Sequence, residues 1–157
     1  MDELIAAPTA PAASWLAGAP PRVLTVGMHI LDVLGRPVDS LPPGQGSVPI
    51  EEIRLTAAGT AAGTAVDLAK LGARVTSVGC VGDDAAGRLV VELLAGHGVA
   101  VSHVAVVAGP PTAATILPIR SNGERPALHV GGRRHDGAGS RRPGLDGRRR
   151  RAPPWRS

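Results

Sequence analysis

Past Arg22 the chain alternates short apolar runs with stretches of helical spacing. Residues 23–35, VLTVGMHILDVLG, open on Val23, Leu24 and Val26 and then meet Gly27, which predicts a buried strand leaving through a glycine. Residues 36–46, RPVDSLPPGQG, read as a loop from their Pro and Gly content. In VPIEEIRLTAAG the apolar positions Val48, Ile50, Ile53 and Leu55 suit an edge or lid strand. Spacing turns helical in TAAGTAAGTAVDLAKLG, where Ala61, Ala65, Leu68 and Ala69 share a face, Asp67 and Lys70 point outward, and Gly72 sits at the C′ position. ARVTSVGCVG predicts a second strand. Asp83 or Asp84 can then cap a helix that puts Leu89, Val90, Leu93 and Leu94 on one side and stops at AGHG. VAVSHVAVVAG is a further apolar strand, and TAATILPIRSNGERPALHV predicts a β-hairpin turning at Ser121-Asn122-Gly123. Strand, helix, strand, helix, strand implies an α/β fold with a largely parallel sheet, the hairpins forming a small second layer.

Composition narrows the chemistry. Among 157 residues there is no Phe and no Tyr, and the two Trp, Trp15 and Trp155, lie near the ends. The core must be built of Val, Leu, Ile and Ala, and aromatic stacking on bases is excluded as a recognition mode. Cys80 is the only cysteine, which removes disulfide frameworks and Cys-based zinc clusters and suits a reduced, cytoplasmic setting. His29, His97, His103, His129 and His135 show no metal-ligand spacing. No run approaches the ~20 apolar residues of a membrane helix. The leader, residues 1–21, lacks a positive n-region and is interrupted by prolines, so a disordered segment is expected.

The net charge of +4 divides unevenly. Residues 1–132 hold 8 Lys and Arg against 11 Asp and Glu, a net −3; residues 133–157 hold 9 Arg against 2 Asp, a net +7. The body is mildly acidic, and the basic character belongs to the tail. With one Leu and one Trp as its large apolar residues, that tail cannot bury a core and is expected to be disordered.

The repeated TAAG at residues 56–63 places small residues at the mouth of a helix, where backbone N–H groups can approach a ligand and the dipole favours negative partners. Neither the G-x-G-x-x-G spacing nor a Gly-Lys-Ser/Thr follows. The longer segment AGTAAGTAVDLAKLGARVTSVGCVG resembles the N-terminal signature of the ribokinase (PfkB-type) family of sugar and nucleoside kinases. Ala58, Gly59, Ala61, Ala65, Gly72 and Gly82 fit that pattern, Gly63 stands where the family has Asn, and VGDDAAG, with Asp84 and Gly87, is similar to the family's strand-to-helix turn. GMHILD resembles the glycine-initiated segment that ends in Asp, and PTAATILPIRSNGERPALHVGG resembles the hairpin region that supplies a Glu.

The resemblance implies the N-terminal part of a ribokinase-like α/β domain over residues 22–132, half of a three-layer sheet structure with small lid strands. It implies ATP-dependent phosphorylation of a sugar or nucleoside hydroxyl, with Asp32, Gly59, Thr60, Gly63 and Glu124 as substrate-binding residues and ATP with Mg2+ as cofactors. Carboxylates suit adjacent hydroxyls because each accepts two hydrogen bonds, and glycine at 59 lets a sugar approach the backbone. Glycine at 63 cannot replace the hydrogen bond of an Asn, a loss on the order of 1–3 kcal/mol. The family's Gly-Ala-Gly-Asp motif, with its catalytic base and nucleotide site, has only DGAGS at residues 136–140 as a counterpart, with Ser140 in place of Asp. No catalytic residue can be named, and the chain is expected to be truncated and inactive by itself, its Arg-rich tail being out-of-frame sequence. A homodimer through the lid strands is the expected assembly. The alternative is a non-enzymatic binding protein: a sugar-binding domain, or one that touches nucleic acid through the tail, whose affinity would fall steeply with salt.

Overall fold

A computed structural model describes residues 18–132. In chain order it contains β1 (Arg22–Val26), β2 (Ile30–Arg36), β3 (Glu52–Ala58), α1 (Ala62–Lys70), β4 (Arg74–Gly82), α2 (Ala85–Gly96), β5 (Ala100–Val107), β6 (Ala113–Pro118) and β7 (Leu128–Val130). Most of the expected leader and all of the Arg-rich tail lie outside the described residues.

The strands form two sheets. β1, β4 and β5 make a parallel sheet in the order β1-β4-β5. The order of the second is β3-β2-β6-β7, with β2 parallel to β6 and the outer pairs antiparallel. The expected small layer is therefore a four-stranded sheet, larger in strand number than the parallel one. The difference arises in VLTVGMHILDVLG, which is two strands: β1 ends at Val26, and after Gly27 the chain crosses into the second sheet as β2.

Both helices end as their glycines suggest. Gly72 N donates to Ala69 O and Ala73 N to Leu68 O, closing α1, and the same pair of bonds recurs after α2 from Gly98 and Val99. The N-termini differ. Asp84 caps α2 by accepting from Gly87 N at 2.7 Å, whereas Ala61 at the N-cap of α1 has no capping side chain.

The core gathers Leu31, Ala57, Ala62, Ala65, Val66, Val75, Val81, Val90, Leu94 and Val99 from both sheets and both helices. As expected for a chain without Phe or Tyr, Val, Leu and Ala fill it. Burial of β1 is one-sided. Thr25 is buried, but Leu24 is 61% and Val26 68% exposed, because the helices cover only the face of the parallel sheet that carries Thr25, Val75, Ser77 and Val81. Cys80 lies on the other face and is half-buried. Val48 and Ile50, expected in a strand, precede β3 in the loop.

Candidate functional site

The crossing from β1 to β2 packs against the crossing from β3 to α1. Met28 O accepts from Ala61 N at 3.2 Å and Ala62 N at 3.4 Å, while Met28 N donates to Thr60 Oγ1 at 3.2 Å. Gly59 makes this possible. Its φ is +94°, and a Cβ there would stand 2.5 Å from Met28 O. The room at Gly59 is thus taken by the Met28 carbonyl, and the first amides of α1 are already bonded. The expectation that the N-terminus of α1 offers free N–H groups to an anion is not met at Ala61, at Ala62, or at Gly63, whose N–H donates to Gly59 O at 3.0 Å.

A buried polar chain supports the same turn from beneath. His29 is 3% exposed; its Nδ1 lies 3.1 Å from Gly27 O and its Nε2 2.9 Å from Ser77 Oγ, which is also 3.2 Å from Thr25 Oγ1. A carbonyl only accepts, so Nδ1 carries the proton, Nε2 accepts from Ser77, and Ser77 accepts from Thr25. Burial pushes the His29 pKa below its ordinary value, with the bond to Gly27 opposing. Nothing in the His spacing revealed this network; the signal available was the polar Thr25 and His29 inside an apolar stretch.

Asp32 lies in the middle of β2, two residues past Ile30, whose partner Ala58 adjoins Gly59. Two strand residues place it about 7 Å along the sheet from that turn. Its register partners are Thr56 on β3 and Thr115 on β6, and Thr115 is opposite His129 on β7. Register partners share a sheet face, so Thr56, Asp32, Thr115 and His129 form one polar row across all four strands. Thr115 Oγ1 and His129 Nδ1 are 3.1 Å apart. Asp32 is half-buried and has no hydrogen-bond or ion-pair partner among the described residues. Sequence reasoning missed Thr56, Thr115 and His129, because a row is assembled from segments far apart in the chain.

Gly63 lies in the first turn of α1, and a Cβ there would have Ala58 Cα, at 4.0 Å, as its nearest neighbour. Glu124 is not brought to this group. It follows the expected turn, where Gly123 N donates to Arg120 O and Asn122 Oδ1 accepts from Glu124 N. Its carboxylate pairs with Arg120 at 2.7 Å, beyond the end of β6 remote from the Gly59 turn. Asp39 anchors this tip by accepting from Ser121 N and Oγ, bonds that hold its carboxyl below the usual carboxylate range.

Where the two sheets meet, Asp84 forms a clamp. Besides capping α2 it accepts from Thr112 N at 2.9 Å and Thr112 Oγ1 at 2.7 Å, and Thr112 Oγ1 accepts from Gly82 N at 2.8 Å. These bonds, those to Thr112 first, hold the Asp84 carboxyl below its ordinary value. A Cβ at Gly82 would stand 2.7 Å from Thr112 N and one at Gly87 2.8 Å from Thr112 Oγ1, which gives both glycines a packing reason.

Comparison with known proteins places this arrangement. A structure from Agrobacterium tumefaciens ascribed to the ribokinases is 32% identical with a TM-score of 0.66, matching 73% of this chain and 37% of that one. Ribokinase of Arabidopsis thaliana, solved with ribose and ATP, is 30% identical with a TM-score of 0.53 over 73% of this chain and 37% of that one. Fructokinase of Xylella fastidiosa is 26% identical with a TM-score of 0.54, over 69% and 31%. The chain thus spans about a third of the length of these structures. No curated protein matches it. The model of the pfkB family of carbohydrate kinases matches residues 21–139, and the chain belongs to that family.

Proposed function

We propose that this chain is the sugar- or nucleoside-binding portion of an ATP-dependent kinase that phosphorylates a substrate hydroxyl. Asp32 is the observation that carries this reading: a half-buried carboxylate without a partner among the described residues, one sheet row from the Gly59–Thr60 turn and flanked by Thr56 and Thr115. Adjacent hydroxyls of a polyol would supply the donors that this carboxylate lacks. Gly59 and Thr60 fix the turn beside it, and Gly63 leaves open the space that a family Asn would fill. Glu124, paired with Arg120 at the sheet tip, is left out of this binding set.

The mouth of α1 does not fit the phosphates of a nucleotide. The α1 amides of Ala61 and Ala62 are bonded to Met28 O, and no group of three His, Cys, Asp or Glu among the described residues could hold a metal. No transfer step is assigned to this chain, and binding without turnover is the activity proposed for it alone. Titration calorimetry of residues 1–157 with pentoses, hexoses and nucleosides tests this. Millimolar or tighter binding that Asp32→Asn abolishes supports the reading; binding unchanged by that substitution refutes it, and so does phosphoryl transfer by the purified chain.

The opposite face of the second sheet supports the proposal of a homodimer. Ile53 is 70% exposed, and Leu55, Ile116, Leu128 and Val130 are also exposed on that face. Pairing two copies there would remove a contiguous apolar patch from water. Sedimentation equilibrium checks it: a dimer that Leu55→Glu converts to monomer is expected. Among the described residues no helix is long and apolar enough to cross a membrane. A cytoplasmic location is part of this proposal.

A further inference from the structure

The face of the second sheet that carries Asp32 continues toward the tip. Leu34 and Arg36 follow Asp32 on β2 at two-residue steps, Arg54 is opposite Leu34, and Glu52 is opposite Arg36. With Ile119, these four residues line a hollow of about 210 Å³. One carboxylate there joins two guanidiniums: Glu52 Oε2 accepts from Arg36 Nε at 2.5 Å, and Oε1 accepts from Arg54 Nη2 at 2.5 Å and Nε at 2.9 Å. The trio has a net charge of +1. A guanidinium carries five N–H donors in a planar fork. The bonds to Glu52 engage one N–H of Arg36 and two of Arg54, and no other acceptor among the described residues takes the remainder. Both arginines are about 60% exposed, so their donors are open to solvent, while Glu52 is mostly covered beneath them.

We propose that this hollow binds an oxyanion, a phosphate ester or a carboxylate, and that the substrate is therefore a sugar bearing such a group. A third charge of negative sign would neutralise the trio, and planar forks suit bidentate recognition of either oxyanion. Leu34 and Ile119 provide apolar walls for the carbon skeleton between the two ends. From Asp32 the hollow begins one sheet row away and ends two rows away, about 7 to 14 Å along β2. A substrate can thus place hydroxyls on Asp32 and an anion between Arg36 and Arg54. This substrate class rests on the proposed role of Asp32, whereas the anion site itself does not.

The test separates the two. The full chain is titrated with inorganic phosphate, a hexose phosphate, a sugar acid and neutral hexose, at low and moderate salt. Expected is binding of inorganic phosphate and of at least one anionic sugar that Arg54→Gln weakens at least fivefold and Glu52→Gln tightens, because the latter raises the local charge from +1 to +2. Arg36→Gln repeats the first result from the other strand, and a cooperative melt checks that each variant folds. A stronger response to hexose phosphate than to the sugar acid assigns a phosphate ester; the reverse assigns a carboxylate. If phosphate binding follows the arginines but Asp32→Asn leaves the sugar phosphate unaffected, the anion site stands and the proposed substrate class falls. If neutral hexose binds through Asp32 and no anion responds to Arg54→Gln or Glu52→Gln, the hollow is overturned while the kinase reading stands.

Discussion

Replacing Asp84 by Ala breaks the joint between the two sheets. Three hydrogen bonds end on this carboxylate: one from Gly87 N, which caps α2, and two from the buried Thr112. Loss of the cap costs about 1 kcal/mol. Hydrogen bonds to a charged group contribute about 1.5–3 kcal/mol each when solvent is excluded, and Asp84 is half-exposed, so the pair with Thr112 is discounted to about 1–3 kcal/mol. The expected loss is about 2–4 kcal/mol, against a domain stability of about 5–15 kcal/mol. Urea denaturation followed by circular dichroism reads this as a midpoint lowered by about 1–2 M at a typical slope. Thr112→Val removes the shared hydroxyl and strands Gly82 N, and the double variant should show coupling of about 1–2 kcal/mol with Asp84→Ala. The sign of the pH dependence follows from the lowered carboxyl. Its contribution is complete above the unfolded value of about 4 and is lost as pH falls through the folded value, so wild type and Asp84→Asn should converge in acid. A change below about 0.5 kcal/mol in Asp84→Ala, or additivity with Thr112→Val, would refute the clamp.

Gly59→Ala should destabilise by about 2–4 kcal/mol, from the positive φ and the contact with Met28 O, measured in the same melts. Gly63→Asn has open space and should raise helix stability by a few tenths of a kcal/mol. If Asp32 binds sugar, the same substitution should also tighten binding by about 2–10-fold in calorimetry, the worth of one hydrogen bond. Stability should hold above pH ~6.5 and decline below it as the unfolded state protonates the histidine at position 29 while burial keeps the folded one neutral. His29→Gln should flatten that decline, and an unchanged slope would exclude His29 as its source.

Periodicity and caps made six of the nine elements and the β6–β7 pairing legible, with Gly72 and Asp84 marking helix ends where the structure has them. β2 was hidden because residues 23–35 are apolar almost throughout, and a continuous run does not show where a chain changes sheets. The division at Gly27 is tertiary: Gly27 N donates to Val78 O on β4, and three residues later Ile30 pairs with Ala58 and Ala113. Exposure of Leu24 and Val26 was equally out of reach, since the same residues read as core in any parallel strand covered on both faces.

The small residues around Gly59 show where sequence reasoning stops and why. Small side chains announce that something approaches the backbone closely, but not what. Here the visitor is the Met28 carbonyl, which occupies the amides that an anion would have used. The candidate binding surface shifts from the helix mouth to the sheet beside it, and there β2 carries both of its faces in one alternating string. Leu31, Val33 and Gly35 fall on the side that meets the core or lies open and apolar, while Asp32, Leu34 and Arg36 fall on the polar side. A slip of one residue in the pairing of β2 with β3 and β6 would exchange those sides and bury Asp32. The β2 register is thus what joins the fold to the proposed chemistry.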